Sequence, residues 1–180
     1  MADDRHLRYP IGAFDADQPF DPGRVAAWID AIAHFPPSLS AVCTGLDDAD
    51  LERRYRPGGW TVRQVIHHIG DSHLNSYIRF KWALSETTPV IKAYDERRWA
   101  ELPDIPVLPV ATSLDFIEAL HRKWTVLLRA LDGGDLQRCF VHPESGETVP
   151  LWRNIGIYAW HGRHHLAHIQ LALESDRERL

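Results

Sequence analysis

The sequence has little cysteine, little net charge and no long apolar run, and each shortage excludes a class of protein. Cys43 and Cys139 are isolated and form no CxxC pair, which argues against a disulfide scaffold and for a reducing cytoplasm. A net charge of −5 leaves no basic surface for nucleic acid. No apolar stretch is long enough to span a membrane, and no apolar signal core follows Met1. We therefore expect a cytoplasmic protein that binds neither nucleic acid nor membrane.

The remaining composition is that of one globular domain. A chain of 180 residues can bury a single core, so we expect one domain over residues 1–180. Hydrophobic residues make up 44% and charged residues 25%, which is ordinary for such a domain. Seven tryptophans are many for this length, and we expect most of them in the core or in a pocket wall.

Histidine is the most informative residue type. Seven of the eleven histidines fall into two groups, which are His67, His68 and His73, and His161, His164, His165 and His168. On a helix, the i, i+4 pair His161 and His165 would point the same way and could bind one ion. Two ligands from one helix and one distant ligand are typical of three-histidine metal sites. The alternative is that these are hydrogen-bonded core histidines.

Apolar periodicity and capping residues predict four long helices. They run from Asp21 through a break or kink at Pro36-Pro37 to Leu46, from Thr61 to about Leu84, from Ser113 to Asp132-Gly133-Gly134, and from near Pro150 to about Ser175. Asp21 is followed by Pro at the first helical position, and Thr61 begins a capping box with Gln64. Ser113 is the predicted N-cap of the third helix.

The segments between these helices predict the topology. The first twenty residues are expected to be irregular, and 47–55 a short helical turn. Residues 86–112 form a long connection with a short helix at 94–102, and 140–149 alternate like a small β-hairpin. The sequence therefore predicts an all-α four-helix bundle with one long crossover connection and a small hairpin before the last helix. Metal sites in bundles lie between facing helices.

The periodicity also predicts which histidines face inward. On the second helix His73 lies near the centre of the apolar stripe, His68 near its edge and His67 on the far side. On the last helix His161, His165 and His168 continue the apolar face. Periodicity alone favours His73 as the inward residue of the first group, whether as a ligand or as a core histidine.

Several segments, in order along the chain, are similar to one known family. They are Tyr9–Gly12, Gly58–His68, Asp71–Lys81, Tyr94–Glu96, Trp124–Arg129, His142-Pro143 and Tyr158–Ile169. Together they resemble the YfiT branch of the DinB-like superfamily. The resemblance implies a homodimeric four-helix bundle that binds one divalent metal ion, zinc or nickel, in each subunit through three histidines.

The resemblance also implies the ligands. In the superfamily the first ligand follows the helix-opening tryptophan by eight positions, which from Trp60 gives His68. The ligands of the last helix correspond to His161 and His165. His164 and His168 are then neighbours that belong to the second shell or the pocket wall.

Such a site implies a small set of functions. Three neutral imidazoles leave the ion an open position, where a bound water can reach a pKa of roughly 7 or a thiol can bind as the thiolate. The resemblance implies either a hydrolase or a transferase that uses a low-molecular-weight thiol such as bacillithiol, while another branch isomerises maleylpyruvate with mycothiol. The alternatives are a non-catalytic, stress-related metal-binding protein and a purely structural metal. Structural zinc sites usually have four protein ligands, which argues against the last.

Three further residues are candidates for roles beside the ligands. Asp71, one helical turn beyond the first predicted ligand, is either a hydrogen-bond acceptor for that ligand or a solvated or capping carboxylate. Tyr94 and Asp95, on the crossover connection, are candidates for covering the mouth of the metal site, and the alternative is that they only attach the crossover to the bundle. Arg63 and Arg79 would either bind an acidic substrate or form surface ion pairs. The sequence contains no HExxH motif, so no glutamate base is built into a ligand helix.

Overall fold

The computed structural model describes residues 4–174, and most of them belong to helices. The elements are α1 (Arg5–Arg8), α2 (Pro22–Cys43), α3 (Asp48–Leu51), α4 (Val62–Ser85), α5 (Glu96–Trp99), α6 (Val110–Arg129), α7 (Gly133–Gln137), β1 (Cys139–Val141), β2 (Thr148–Pro150) and α8 (Leu151–Glu174). The four long helices α2, α4, α6 and α8 confirm the predicted bundle. No helix of the described residues is long and apolar enough to cross a membrane.

The packing of the long helices places the histidines in the middle of the bundle. Helices α2 and α4 each pack against both α6 and α8, so α2 and α4 are diagonal to each other. Two apolar clusters fill the core. One is centred on Trp124, Phe80 and Ile155, and the other on Ile66, Ile117 and Ile169. A layer of buried polar side chains, including His73 and His121, lies between these clusters along the helices.

The predicted hairpin is confirmed. Strands β1 and β2 are antiparallel, with Phe140 opposite Val149, and both of these side chains are buried. The crossover connection is attached to the hairpin, because the Ile91 N–H donates to the Val141 carbonyl and the Val141 N–H donates to the Pro89 carbonyl. The hairpin therefore fixes the start of the crossover beside α8.

Pro36 and Pro37 lie inside a continuous helix, although a break or kink was predicted there. Helix α2 runs through both prolines and ends at Cys43, three residues before the predicted end. Phe35, Pro36 and Leu39 are buried. Burial of this face stabilises the helix and offsets the missing backbone hydrogen bonds of the two prolines.

The third helix differs from its prediction at both ends. Helix α6 begins at Val110, with Pro109 as its N-cap residue, so the prediction that Ser113 is the cap is wrong. Ser113 is buried inside the helix, and its hydroxyl bonds to His67. Helix α6 ends at Arg129, and Asp132 forms a capping box that opens the unpredicted helix α7.

Smaller differences lie in the connections. Residues 5–8 form helix α1, where irregular chain was predicted. The short helix predicted at 94–102 is shorter in the structure, because α5 has Asp95 as its N-cap residue and spans a single turn. The predicted end of the last helix, Ser175, lies outside the described residues.

Candidate metal centre

Three of the predicted site residues meet where α4 faces α8. One ring nitrogen from each of His68, His161 and His165 lies within 4.8 Å of the others. His68 and His165 are buried and His161 is half-buried. The capping box of Thr61 and Gln64 fixes the start of α4, and thereby the rotation that turns His68 towards α8.

Burial keeps these imidazoles neutral near pH 7. It lowers the pKa of His68 to about 4 and holds the pKa values of His161 and His165 well below the ordinary value. The neighbouring histidines lower the pKa values of His161 and His165 further. Neutral imidazole is the form that binds a metal ion, so the donors are ready at physiological pH.

A hydrogen-bonded chain of three histidines, which begins at His161, crosses the whole bundle. The Nδ1 of His161 lies 3.1 Å from the Nε2 of His73. The Nδ1 of His73 lies 2.7 Å from the Nε2 of His121, and the Nδ1 of His121 lies 2.7 Å from the carbonyl oxygen of Ile32. These residues belong in turn to α8, α4, α6 and α2. We call this chain the long relay.

The backbone end of the long relay determines where each proton lies. The carbonyl of Ile32 can only accept, so the Nδ1 of His121 donates and its Nε2 is left to accept. His73 must then donate through Nδ1 and accept through Nε2, and His161 must donate through Nδ1. Burial lowers the pKa of His121 to about 4 and holds the pKa of His73 well below its ordinary value, which keeps both rings neutral. The Nε2 of His161, 3.3 Å from the Nε2 of His68, therefore carries a lone pair.

A second, shorter relay lies behind His165. The Nε2 of His168 lies 3.1 Å from the carbonyl oxygen of Leu7 and 3.2 Å from that of Arg8, so this nitrogen donates. The Nδ1 of His168, 3.3 Å from the Nδ1 of His165, is left to accept. His165 then donates through Nδ1, and its Nε2 also carries a lone pair.

The remaining histidines of the two groups lie around this centre. His164 is stacked on Trp160 with ring centroids 4.3 Å apart, and its buried Nδ1 has no hydrogen-bond partner in the described part of the chain. His67 is buried, which contradicts its predicted position on the far side of α4. Its Nδ1 lies 2.7 Å from the hydroxyl of Ser113, because α6 covers that side of the helix. Sequence periodicity did not predict His121, although it lies between the inward residues Leu120 and Trp124.

Two cavities open on His161 from different sides. The hairpin cavity, about 850 Å³, lies between the hairpin, the crossover and α4, and its lining includes Ser72, Arg79, Tyr94, His142, Tyr158 and His161. The histidine cavity, about 760 Å³, is lined by residues that include Arg8, Trp60, His68, His161, His164, His165 and His168. His161 therefore lies at the junction of two spaces, each large enough for a small molecule.

The three catalytic candidates have different surroundings. Tyr94 lines the hairpin cavity, and burial raises the pKa of its phenol, so it is neutral near pH 7. Asp95 lines the same cavity, but its carboxylate caps α5 and pairs with Arg98 at 3.3 Å. Asp71 is half-buried, and no hydrogen bond joins it to His68 in residues 4–174. Burial, with a smaller effect of Asp104, raises the pKa of Asp71 to about 6.

The two candidate arginines also differ. Arg63 forms ion pairs of 3.0 Å with both Asp48 and Glu52, as expected of a surface arginine. Arg79 is half-buried in the lining of the hairpin cavity, and its buried Nε has no hydrogen-bond partner among the residues that the structure describes. Within residues 4–174, no carboxylate pairs with Arg79.

This combination of bundle and histidines matches one protein family. The model of the DinB superfamily matches residues 31–169. The chain belongs to the DinB superfamily. A relative from Bacillus cereus, which carries the provisional name of metal-dependent hydrolase, is 53% identical over 91% of this chain and 93% of its own length. A relative from Oceanobacillus iheyensis with the same provisional name is 52% identical over 90% of this chain and 93% of its own.

A solved structure supports the same family, and a second one shares the fold. YfiT from Bacillus subtilis, described as a probable metal-dependent hydrolase with an unusual four-helix bundle topology, superposes with a TM-score of 0.91. It is 41% identical over 97% of this chain and 98% of that chain, which confirms the resemblance to the YfiT branch. A mycothiol-dependent maleylpyruvate isomerase has a TM-score of 0.65 and 15% identity over 85% of this chain and 61% of its own, and it shares the fold.

Proposed function

We propose that this DinB-superfamily protein is a metal-dependent enzyme in which His68, His161 and His165 hold one divalent ion, zinc or nickel. The observation that carries the proposal is the convergence of three neutral imidazoles within 4.8 Å, two of them with lone pairs on Nε2. Imidazole is a favoured ligand of both metals. Three protein ligands leave a position open, and a divalent ion there would lower the pKa of a bound water or thiol.

The adjacent set of His164, His165 and His168 does not add a second ion to this proposal. Its ring nitrogens also lie within 4.8 Å of one another. The space between His165 and His168, however, holds the proton that the His165 Nδ1 donates, and a second ion would need that proton removed. His164 and His168 therefore serve as wall and support of a single site.

The two cavities favour a reaction between two small molecules. A hydrolase needs room for one organic substrate and a water, whereas a thiol transferase must bind a thiol and an acceptor together. The hairpin and histidine cavities meet at His161 and could each bind one of them. We therefore propose transfer of a low-molecular-weight thiol, of the bacillithiol type, as the leading reaction. Hydrolysis is the second candidate, and the names of the relatives favour it.

The chain's own side chains would orient the reactants. Ser72 lines the hairpin cavity, with its hydroxyl 3.4 Å from both the Nε2 of His161 and the hydroxyl of Tyr158. The neutral phenol of Tyr94 can donate a hydrogen bond to a substrate oxygen in the hairpin cavity, where negative charge develops during addition or hydrolysis. We propose Tyr94 for this role, since the carboxylate of Asp95 is already bonded at α5.

Arg79 would select an anionic substrate. It lies seven residues after Ser72 on α4, which corresponds to about 10 Å along the helix axis. A carboxylate about that far from the reacting atom would meet a guanidinium that has no carboxylate partner among the described residues. The acidic residues of the same cavity lie at its exposed rim, where Asp95 pairs with Arg98 and Glu147 with Arg153.

Turnover tests the function. Metal-loaded protein is incubated with a bacillithiol-type thiol and monochlorobimane, and the fluorescent conjugate is followed over time. We expect conjugation above the rate without protein, and its loss in His161→Ala and after metal removal. Hydrolysis of ester and amide probes without conjugation would support the second candidate. Metal binding with neither activity would instead favour a non-catalytic metal-binding protein.

A further inference from the structure

The carbonyl of Ile32, which ends the long relay, is free to accept a hydrogen bond from His121 because residue 36, four positions later in α2, is proline. In an α-helix this carbonyl would accept a hydrogen bond from the backbone N–H of residue 36. Residue 36 is proline, which has no N–H, and its ring also crowds the carbonyl four residues before it. Pro36 therefore leaves the Ile32 carbonyl without its helical partner, and the Nδ1 of His121 occupies that place at 2.7 Å.

We propose that Pro36, His121 and His73 are positioning residues that fix which nitrogen of His161 faces the metal. The inference rests on the proposed function for the ion, but its first step concerns protons alone. With the relay anchored at Ile32, His161 is protonated on Nδ1 and presents an unprotonated Nε2 to His68. Without the hydrogen bond to Ile32, His121 and His73 can each carry their proton on Nε2 instead of Nδ1. His161 can then also carry its proton on Nε2.

Burial makes this anchor effective. His73 and His121 are 0% and 1% exposed, so water does not supply alternative partners. Phe35 packs on both rings, with centroids 5.6 Å from His73 and 5.5 Å from His121, and it comes from the turn of α2 that carries Pro36. The same turn of α2 therefore supplies both the carbonyl and the ring that hold the relay in place.

The adjacent Pro37 is a matched control, because it too lies inside α2 but frees a different carbonyl. Its missing N–H would bond to Ala33, and the relay does not use that carbonyl. Both Pro36→Ala and Pro37→Ala restore a helical N–H, so both proteins should fold and melt at a higher temperature. They should differ in their effect on the metal.

The experiment compares the two variants in two measurements. In metal-free protein, ¹⁵N correlation spectra of the imidazoles report the proton position of His161. We expect the Nδ1-protonated form in the wild type and in Pro37→Ala, and a mixture of forms in Pro36→Ala. In a chelator competition with zinc, we expect Pro36→Ala to bind about ten- to a hundredfold more weakly than Pro37→Ala, as is typical when an outer hydrogen-bond partner is lost.

The outcomes separate this proposal from the proposed function. Equal zinc affinity in the two variants, or a His161 that stays protonated on Nδ1 in Pro36→Ala, would overturn the role of Pro36. A wild type that shows the expected proton position but binds no zinc or nickel would overturn the metal assignment and leave the relay standing. If both variants bind zinc equally and more weakly than the wild type, straightening of α2, rather than the Ile32 carbonyl, controls the site. That result would also overturn the role proposed for Pro36.

Discussion

The indole of Trp60 packs against the imidazole of His68, with ring centroids 4.6 Å apart. Trp60 directly precedes the N-cap Thr61, so its ring is placed by the same turn that sets the rotation of α4. The eight-residue spacing from the tryptophan to the histidine thus has a physical basis, because it brings the ring of one onto the ring of the other. The ring centroid of Trp60 also lies 6.5 Å from that of His165, so Trp60 forms one wall of the metal centre.

The metal content of histidine variants tests the ligands. We expect His68→Ala, His161→Ala and His165→Ala each to lower metal affinity at least about a hundredfold, since each ligand of such a site contributes several kcal/mol. Elemental analysis of purified protein measures occupancy. His34→Ala, at an exposed position of α2, is the control and should keep full occupancy. If His68→Ala keeps full metal occupancy, His68 is not a ligand and another histidine must take its place.

Replacement of Arg79 should change which ligands bind. Calorimetry with metal-loaded protein compares 8-mercaptooctanoate with 8-mercaptooctanol, which differ only in the carboxylate. We expect the wild type to bind the acid at least about tenfold more tightly, because a hydrogen bond to a charged group contributes about 1.5–3 kcal/mol. Arg79→Met should remove this difference in affinity and leave the affinity for the alcohol unchanged. Arg97→Met, at the exposed rim of the same cavity, should preserve the difference, and the reverse pattern would assign the anion to the rim.

Asp71 should make the protein less stable as the pH rises. Its pKa is about 6 in the folded protein and near 3.8 in the unfolded chain, so the folded state binds more protons between these values. The free energy of unfolding then falls as the pH rises through this window. Two pKa units correspond to about 2.7 kcal/mol, and we expect about 1 kcal/mol because water screens a half-buried carboxylate.

Urea unfolding of Asp71→Asn measures that effect. The variant should match the wild type near pH 4 and exceed its stability above pH 6. Asp115→Asn, which changes an exposed carboxylate of α6, serves as the control and should follow the wild type at every pH. A variant that is less stable than the wild type at pH 7 would mean that the Asp71 carboxylate has a stabilising partner after all.

Removal of the metal should weaken the fold without destroying it. A ligand at a hundred times its Kd stabilises by about 2.7 kcal/mol, or roughly 5–11 °C in Tm for a domain of this size. The two apolar clusters on either side of the polar layer do not depend on the ion. We expect a lower Tm with unchanged helical circular dichroism at room temperature after chelation. Complete unfolding there would identify the metal as structural.

We expect a homodimer, as the resemblance to the YfiT branch implies. Light scattering at micromolar concentration should then give about twice the chain mass of 20.6 kDa. A mass near that of one chain would contradict the dimer.

Local patterns predicted the four long helices and the pairing of His161 with His165, and the family resemblance added His68, but neither predicted the hydrogen bonds behind these histidines. The i, i+4 spacing of His161 and His165 depends on one helix alone, so the sequence was sufficient for it. The burial of His67 depends on α6, and the role of His121 depends on a carbonyl of α2, and neither is encoded locally. From the sequence, Pro36 predicts only a break or kink in its helix, because its effect on His121 depends on the packing of α6 beside α2.

The contact between His168 and the carbonyls of Leu7 and Arg8 has a consequence for the order of folding. It joins residues about 160 positions apart in the chain. Contacts of such long separation must overcome the entropy of closing nearly the whole chain, and they tend to form late. His165 receives its acceptor only when α1 has docked on α8. We therefore expect the metal site to reach its full affinity in the last step of folding, so that a chain still being synthesised holds its metal poorly.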